Sequence, residues 1–90
     1  MTARFNNKRV YVTGAASGMG RATAIKFGGE GASVYCVDLN AEGAHQTALK
    51  IGEAGGNAYA AAVDITDGSA CRESIGAAAE AMGGLDILCN

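Results

Sequence analysis

"VYVTGAASGMG", residues 10–20, sets a short apolar run directly against three glycines in eight positions. Glycine inside regular structure costs about 1 kcal/mol relative to alanine, so a cluster this dense needs a physical reason. Val10 to Thr13 reads as a strand, and apolar residues on both of its faces make it a buried one. From Gly18 the pattern turns helical, "GMGRATAIKF", and ends near "GGEG". Gly28 and Gly29 in the last turn imply fraying or unusually tight packing. Between strand and helix, Gly14 permits the sharp turn, and Gly18 and Gly20 remove side chains where the helix begins. The first N–H groups of a helix have no partner within it, here those of Gly18, Met19 and Gly20. Those donors and the helix dipole favour an anion, most naturally a diphosphate, with the Thr13 and Ser17 hydroxyls beside it.

The same alternation continues along the chain. "ASVYCV" is a second strand, closed by Asp38. Asn40 caps a second helix, with Glu42 suited to its positive first turn and Ala41, Ala44, Ala48 and Ile51 on one face. "GEAGGN" ends that helix, and Ala58 to Val63 forms a third strand. Asp67 caps a third helix with a core stripe of Cys71, Ile75, Ala78 and Met82. "GG" at 83 and 84 stops it, and "LDILCN" opens a fourth strand. The order βαβαβαβ, with helical crossovers, implies a doubly wound α/β sheet of parallel strands. Ligands of such sheets lie beyond the carboxyl ends of the strands, at the point where strand order reverses.

Composition excludes several alternatives. The chain has 90 residues, 49% of them hydrophobic, which fits one small folded domain rather than disorder. Seven basic and nine acidic residues give a net charge of −2 with no basic stripe, which argues against nucleic acid as the main partner. The longest apolar run, Ala58 to Val63, is far short of the ~20 residues a membrane helix needs. Cys36, Cys71 and Cys89 form no CxxC pair, which reads as free thiols in a reducing cytoplasm. His45, the single histidine, has no cysteine near it in sequence and reads as a solvated helix residue, so no metal site is assigned.

Two carboxylates extend the glycine loop into a larger site. Asp38 ends the second strand eighteen residues after Gly20. There an acid accepts hydrogen bonds from the ribose hydroxyls of a bound adenosine and repels a 2′-phosphate. A chain selecting NADP would carry a basic residue nearby, yet these places hold Ala16, Ser17, Asp38, Leu39 and Asn40. Arg21, the nearest cation, already lies within the helix, so the pattern points to NAD. After the third strand, Asp64 is placed to accept from an adenine amino group, with Ile65 covering the ring. As alternatives, the loop is only a corner, and Asp38 only a helix cap.

Taken together these residues resemble the short-chain dehydrogenase/reductase family in its compact form. "TGAASGMG" is similar to the family's TGxxxGxG loop, "VD" at 37 and 38 to its NAD-selecting acid, and "DIT" to its adenine-binding turn. "LDILCN" resembles the start of its LDxLVNNAG strand, with Cys89 where valine is usual. The resemblance covers the whole chain and implies a Rossmann-type sheet that binds NAD. By that likeness Gly14, Ser17, Met19 and Gly20 line the diphosphate, Asp38 holds the adenosine ribose, Asp64 and Ile65 hold adenine, and Asn90 lies against that nucleotide; Gly18 and Leu39 complete the expected cofactor-binding set.

The family moves hydride between the nicotinamide and a secondary alcohol or ketone, using a tyrosine base with a lysine four residues later and a serine. Here Tyr11, Tyr35 and Tyr59 are followed at that spacing by Ala15, Leu39 and Val63, so no catalytic residue is assigned. Residues 1–90 are therefore expected to be the N-terminal portion of one NAD-binding domain, truncated after strand four and inactive alone. The longer protein is expected to be a cytoplasmic homo-oligomer, a dimer or tetramer, acting on a small alcohol or ketone. One alternative is a non-catalytic dinucleotide-binding module, or a gene remnant, complete at 90 residues. Another, a methyltransferase, fits the GxxxGxG spacing poorly.

Overall fold

The computed structural model describes residues 5–89. Its order is β1 (Arg9–Val12), α1 (Gly18–Gly29), β2 (Ser33–Asp38), α2 (Ala41–Glu53), β3 (Asn57–Ala62), α3 (Gly68–Met82) and β4 (Ile87–Cys89). The four strands form one parallel sheet in the order β3-β2-β1-β4, so the strand order reverses between β1 and β4. This is the expected Rossmann-type α/β architecture. The strand limits differ slightly from the sequence reading: β2 runs Ser33–Asp38 and so takes in Asp38 and leaves out Ala32, and β4 starts at Ile87, two residues into "LDILCN". β1 and β3 each begin and end one residue earlier than expected; just past their ends the N–H groups of Thr13 and Val63 still donate to the Cys89 and Asp38 carbonyls.

Side chains alternate across the sheet, as strand geometry requires. Val10, Val12, Val34 and Cys36 face α1 and α2 and pack on Ala24, Ala44 and Ile51. Tyr11 and Val37 point the other way, with Ala78, Ile75, Cys71 and Met82 of α3. The expected α3 stripe is therefore core. In α2 the buried face is Gly43, Ala44, Thr47 and Ile51, and Ala41 is exposed instead of joining it. Ala41 opens the helix beside its cap, before the face has rotated onto the sheet. Burial among aliphatic neighbours pushes the Cys36 thiol up to about 11, since the thiolate would lose its hydration.

The three tyrosines occupy matching positions in the register, Tyr11↔Tyr35 and Tyr35↔Tyr59. Their rings stack at 5.9 Å between centroids, 7° and 24° from parallel. The Tyr11 hydroxyl donates to Ser74 Oγ at 2.8 Å, so a buried phenol finds its partner on α3. At the other end of the strands Arg9 locks β1 to the start of β4. Its Nε and backbone N–H donate to Asp86 Oδ2 at 2.9 and 2.8 Å, and Nη1 donates to the Gly83 carbonyl at 2.9 Å.

Helix ends follow their caps. Asn40 accepts from the Gly43 N–H, and Asp67 accepts from Ser69 and Ala70, both as the sequence implies. The last turn of α1 is tightly packed at Gly28, where a Cβ would lie 2.6 Å from Ile51 Cγ2, whereas Gly29 has nothing within 4 Å.

Two outcomes test this packing in the protein expressed from its whole reading frame. Gly28→Ala gains helix propensity, about 1 kcal/mol, but overpacks a β-branched neighbour at about 1–3 kcal/mol. It is expected to lower the melting temperature, and Gly29→Ala to raise it. The hydrogen bonds from Arg9 hold the Asp86 carboxyl below the usual carboxylate range. Their contribution is present above the unfolded value, about 4, and is lost as pH falls through the lower folded value. Melting curves of wild type and Asp86→Asn are therefore expected to converge on acidification from neutral pH toward pH ~3.

Candidate functional site

The site is built where β1 gives way to α1. Gly14 and Gly18 hold φ of 64° and 57°, the left-handed region that side-chain-bearing residues rarely adopt. A Cβ on Gly20 would lie 1.8 Å from the Gly14 carbonyl oxygen, so only glycine lets the first helical turn close on the loop. Ser17 is the N-cap residue, yet its side chain makes no capping hydrogen bond. That contrasts with α2 and α3, whose first N–H groups are taken by Asn40 and Asp67. The opening turn of α1, with Gly18, Met19 and Gly20, thus keeps its donors and its positive dipole end for something outside the helix.

The loop is tied to its neighbours through the backbone. Thr13 N–H donates to the Cys89 carbonyl at 2.9 Å, and Ala15 N–H to Val37 at 3.0 Å. Asp38, the last residue of β2, then closes the arrangement with both carboxylate oxygens. Oδ2 accepts from Ala16 N–H at 3.1 Å, and Oδ1 from Asn40 N–H at 2.9 Å. Asp38 is therefore no helix cap; Asn40 has that role, and Asp38 braces the glycine loop against the start of α2. Its remaining lone pairs are left for hydroxyl donors.

Beyond β3, Asp64 is exposed, and its Oδ1 accepts from both the N–H and the hydroxyl of Thr66, at 2.9 and 2.6 Å. Those two bonds hold its carboxyl below the usual range and keep it anionic. Val63 N–H donates to the Asp38 carbonyl at 3.1 Å, which sets the two acidic strand ends side by side. A cleft of about 370 Å³ opens between the ends of β1 and β4, lined by Thr13, Gly14, Met19, Gly20, Ile65 and Cys89 among others. This is the reversal point of the strand order, and the volume is within the ~300–1,000 Å³ of small-molecule sites. Met19, Leu39 and Ile65 are 87%, 74% and 53% exposed, so three large apolar side chains stand uncovered around the loop ends. Asn90 lies outside the described residues.

Thr47 escaped the sequence reading, and Arg21 was placed within its helix without a partner. Thr47, fully buried on α2, donates to the Ala15 carbonyl at 2.6 Å, and Arg21 Nε donates to the Thr47 hydroxyl at 2.9 Å. Arg21 thus turns toward α2. The one available signal was a threonine on the α2 face between Ala44 and Ile51, a polar residue at a core position. None of the three tyrosines lines the cleft.

Residues 8–90 match the family described as short chain dehydrogenase. The chain belongs to that family. It is 43% identical over its whole length to a 2,5-dichloro-2,5-cyclohexadiene-1,4-diol dehydrogenase of Sphingobium indicum, covering 36% of that protein. It is 40% identical over 97% of its length to a D-threitol dehydrogenase of Mycolicibacterium smegmatis, covering 34% of that relative. Among solved structures, a 7α-hydroxysteroid dehydrogenase complexed with NADH and 7-oxo glycochenodeoxycholic acid superposes with a TM-score of 0.93 at 36% identity. That match covers 97% of this chain and 34% of the other. The chain thus spans about a third of the length of the curated relatives it matches. Among the described residues of this short-chain dehydrogenase chain, no helix is long and apolar enough to cross a membrane.

Asp38→Ala removes the acceptor of two loop amides. Hydrogen-exchange mass spectrometry is expected to show faster exchange in a peptide spanning residues 13–20, with the Tyr11 region unchanged.

Proposed function

We propose that this chain is the NAD-binding N-terminal part of a dehydrogenase that transfers hydride between NAD and a secondary alcohol or ketone. The observation that carries the reading is Asp38, held by Ala16 and Asn40 at the rim of a glycine loop whose helix start is uncapped. The residues present fit a dinucleotide. The close approach at Gly20 clears a seat, and the open N–H groups of Gly18, Met19 and Gly20 suit a diphosphate, with Gly14 and Ser17 beside it. Asp38 and Leu39 would meet the adenosine ribose, Asp64 and Ile65 the adenine, and Asn90 the adjoining nucleotide. NAD when bound supplies the hydride acceptor; these residues bind and orient it.

Selectivity for NAD follows from charge. Asp38 presents an anion where a 2′-phosphate would sit, and Arg21, the nearest cation in sequence, donates to Thr47 and Gly43 on α2. Proton transfer to or from the substrate is assigned to no residue of this chain. The related proteins named above are dehydrogenases of alcohols, which supports a small alcohol or ketone as the substrate class. Free thiols at Cys36, Cys71 and Cys89 fit a reducing cytoplasm. The protein is further proposed to work as a homo-oligomer, a dimer or tetramer.

Reading the coding frame past Asn90 tests catalysis. A continuation close to Asn-Ala-Gly, with a YxxxK pair further on, is expected; a stop codon there leaves a binding module and overturns the enzyme reading. Calorimetric titration tests the cofactor. NAD⁺ is expected to bind more tightly than NADP⁺, and Asp38→Ala to narrow that preference by about tenfold. Tighter NADP⁺ binding by the wild type would overturn the role given to Asp38.

A further inference from the structure

The glycine loop is held from behind by a residue outside its motif. The Thr47 hydroxyl lies 2.6 Å from the Ala15 carbonyl and 3.1 Å from that of Gly43. A hydroxyl has one proton and serves one acceptor at a time. Arg21 touches both sides of that choice. Its Nη2 donates to the Gly43 carbonyl at 3.2 Å, and its Nε fills a lone pair of Thr47 Oγ1 at 2.9 Å. The Gly43 carbonyl already accepts from Arg21, and the Thr47 hydroxyl makes its shorter contact with Ala15, the acceptor that geometry favours.

The Ala15 carbonyl and the Ala16 N–H are opposite edges of one planar peptide group. Its N–H edge donates to Asp38 Oδ2 at 3.1 Å. Thr47 therefore fixes one edge of the plate against which the Asp38 carboxylate rests. We propose that Thr47, directed by Arg21, is a positioning residue for Asp38 and sharpens the preference for an unphosphorylated adenosine ribose over a 2′-phosphorylated one. The inference rests on the NAD-binding reading above. Its physical basis is preorganisation: a carboxylate held in one orientation presents its lone pairs to two hydroxyls without reordering on binding.

The test uses the protein expressed from its whole reading frame, titrated calorimetrically with NAD⁺ and NADP⁺ and melted without ligand. Thr47→Val keeps the shape and deletes the proton. It is expected to weaken NAD⁺ about tenfold and leave NADP⁺ nearly unchanged, so the ratio of affinities falls. Thr47→Ser restores the hydroxyl and is expected to restore the ratio. Arg21→Met frees Thr47 to turn toward Gly43 and is expected to shift the ratio in the same direction by less. A ratio that stays at the wild-type value in both Thr47→Val and Arg21→Met, whatever their melting temperatures, overturns the proposal. Where Thr47→Val does not fold, the half-buried Arg21→Met decides alone. A wild type that binds neither dinucleotide overturns the functional reading and this assignment together; a selective wild type with equally selective variants overturns this assignment only.

Discussion

Gly20 sits so close to the carbonyl of Gly14 that the turn leaving β1 and the first turn of α1 occupy nearly the same space. Everything at the candidate site depends on that approach. It brings the helix start up to the strand end, leaves its N–H groups facing outward, and brings the Ala15–Ala16 peptide within reach of β2. Asp38 then braces the peptide from one side and Thr47 from the other. A methyl group at position 20 would push these elements apart before any ligand was involved.

The two faces of the sheet divide the work. α1 and α2 pack on the face of Val10, Val12 and Cys36, while the glycine loop is held by β2 and β4 through Val37, Asp38 and Cys89 and by α2 through Thr47. α3 packs on the tyrosine face and reaches the site mainly through the turn that precedes it, at Asp64 and Ile65. Arg9 and Asp86 fasten the opposite end of the strands. The β1–β4 pairing is thereby anchored far from the cleft, and at the carboxyl ends the Thr13 hydroxyl donates to the Cys89 carbonyl.

Much of this was legible in the chain as letters. Local signals were enough for the seven elements, the caps at Asn40 and Asp67, and the placement of the glycines, because each rests on neighbours a few residues apart. The illegible part is long-range. Tyr11 meets Ser74, Arg9 meets Asp86, and Arg21 meets Thr47, across 63, 77 and 26 residues. No periodicity encodes such pairs; they exist only once the parallel register has been set. Ala41 failed for a related reason: helical spacing assigns a face but does not say where along the helix that face meets the sheet. The element order implied the fold and the motifs implied the family, which the match over residues 8–90 bears out.

Cys36 lies in the middle of β2, between Val12 on one neighbouring strand and Ala60 on the other. Burial raises its thiol and leaves it fully shielded from solvent in the folded chain, so it stays protonated and unreactive. Cys71 and Cys89 are only half-buried, one on α3 and one in the cleft. The three sulfurs therefore sample the core and two half-buried places of the same small fold. Alkylation at Cys36 reports opening of the sheet itself, and alkylation at the other two reports breathing at α3 and at the cleft mouth. A chain without tryptophan thus carries, in its thiols, a clock for its own unfolding.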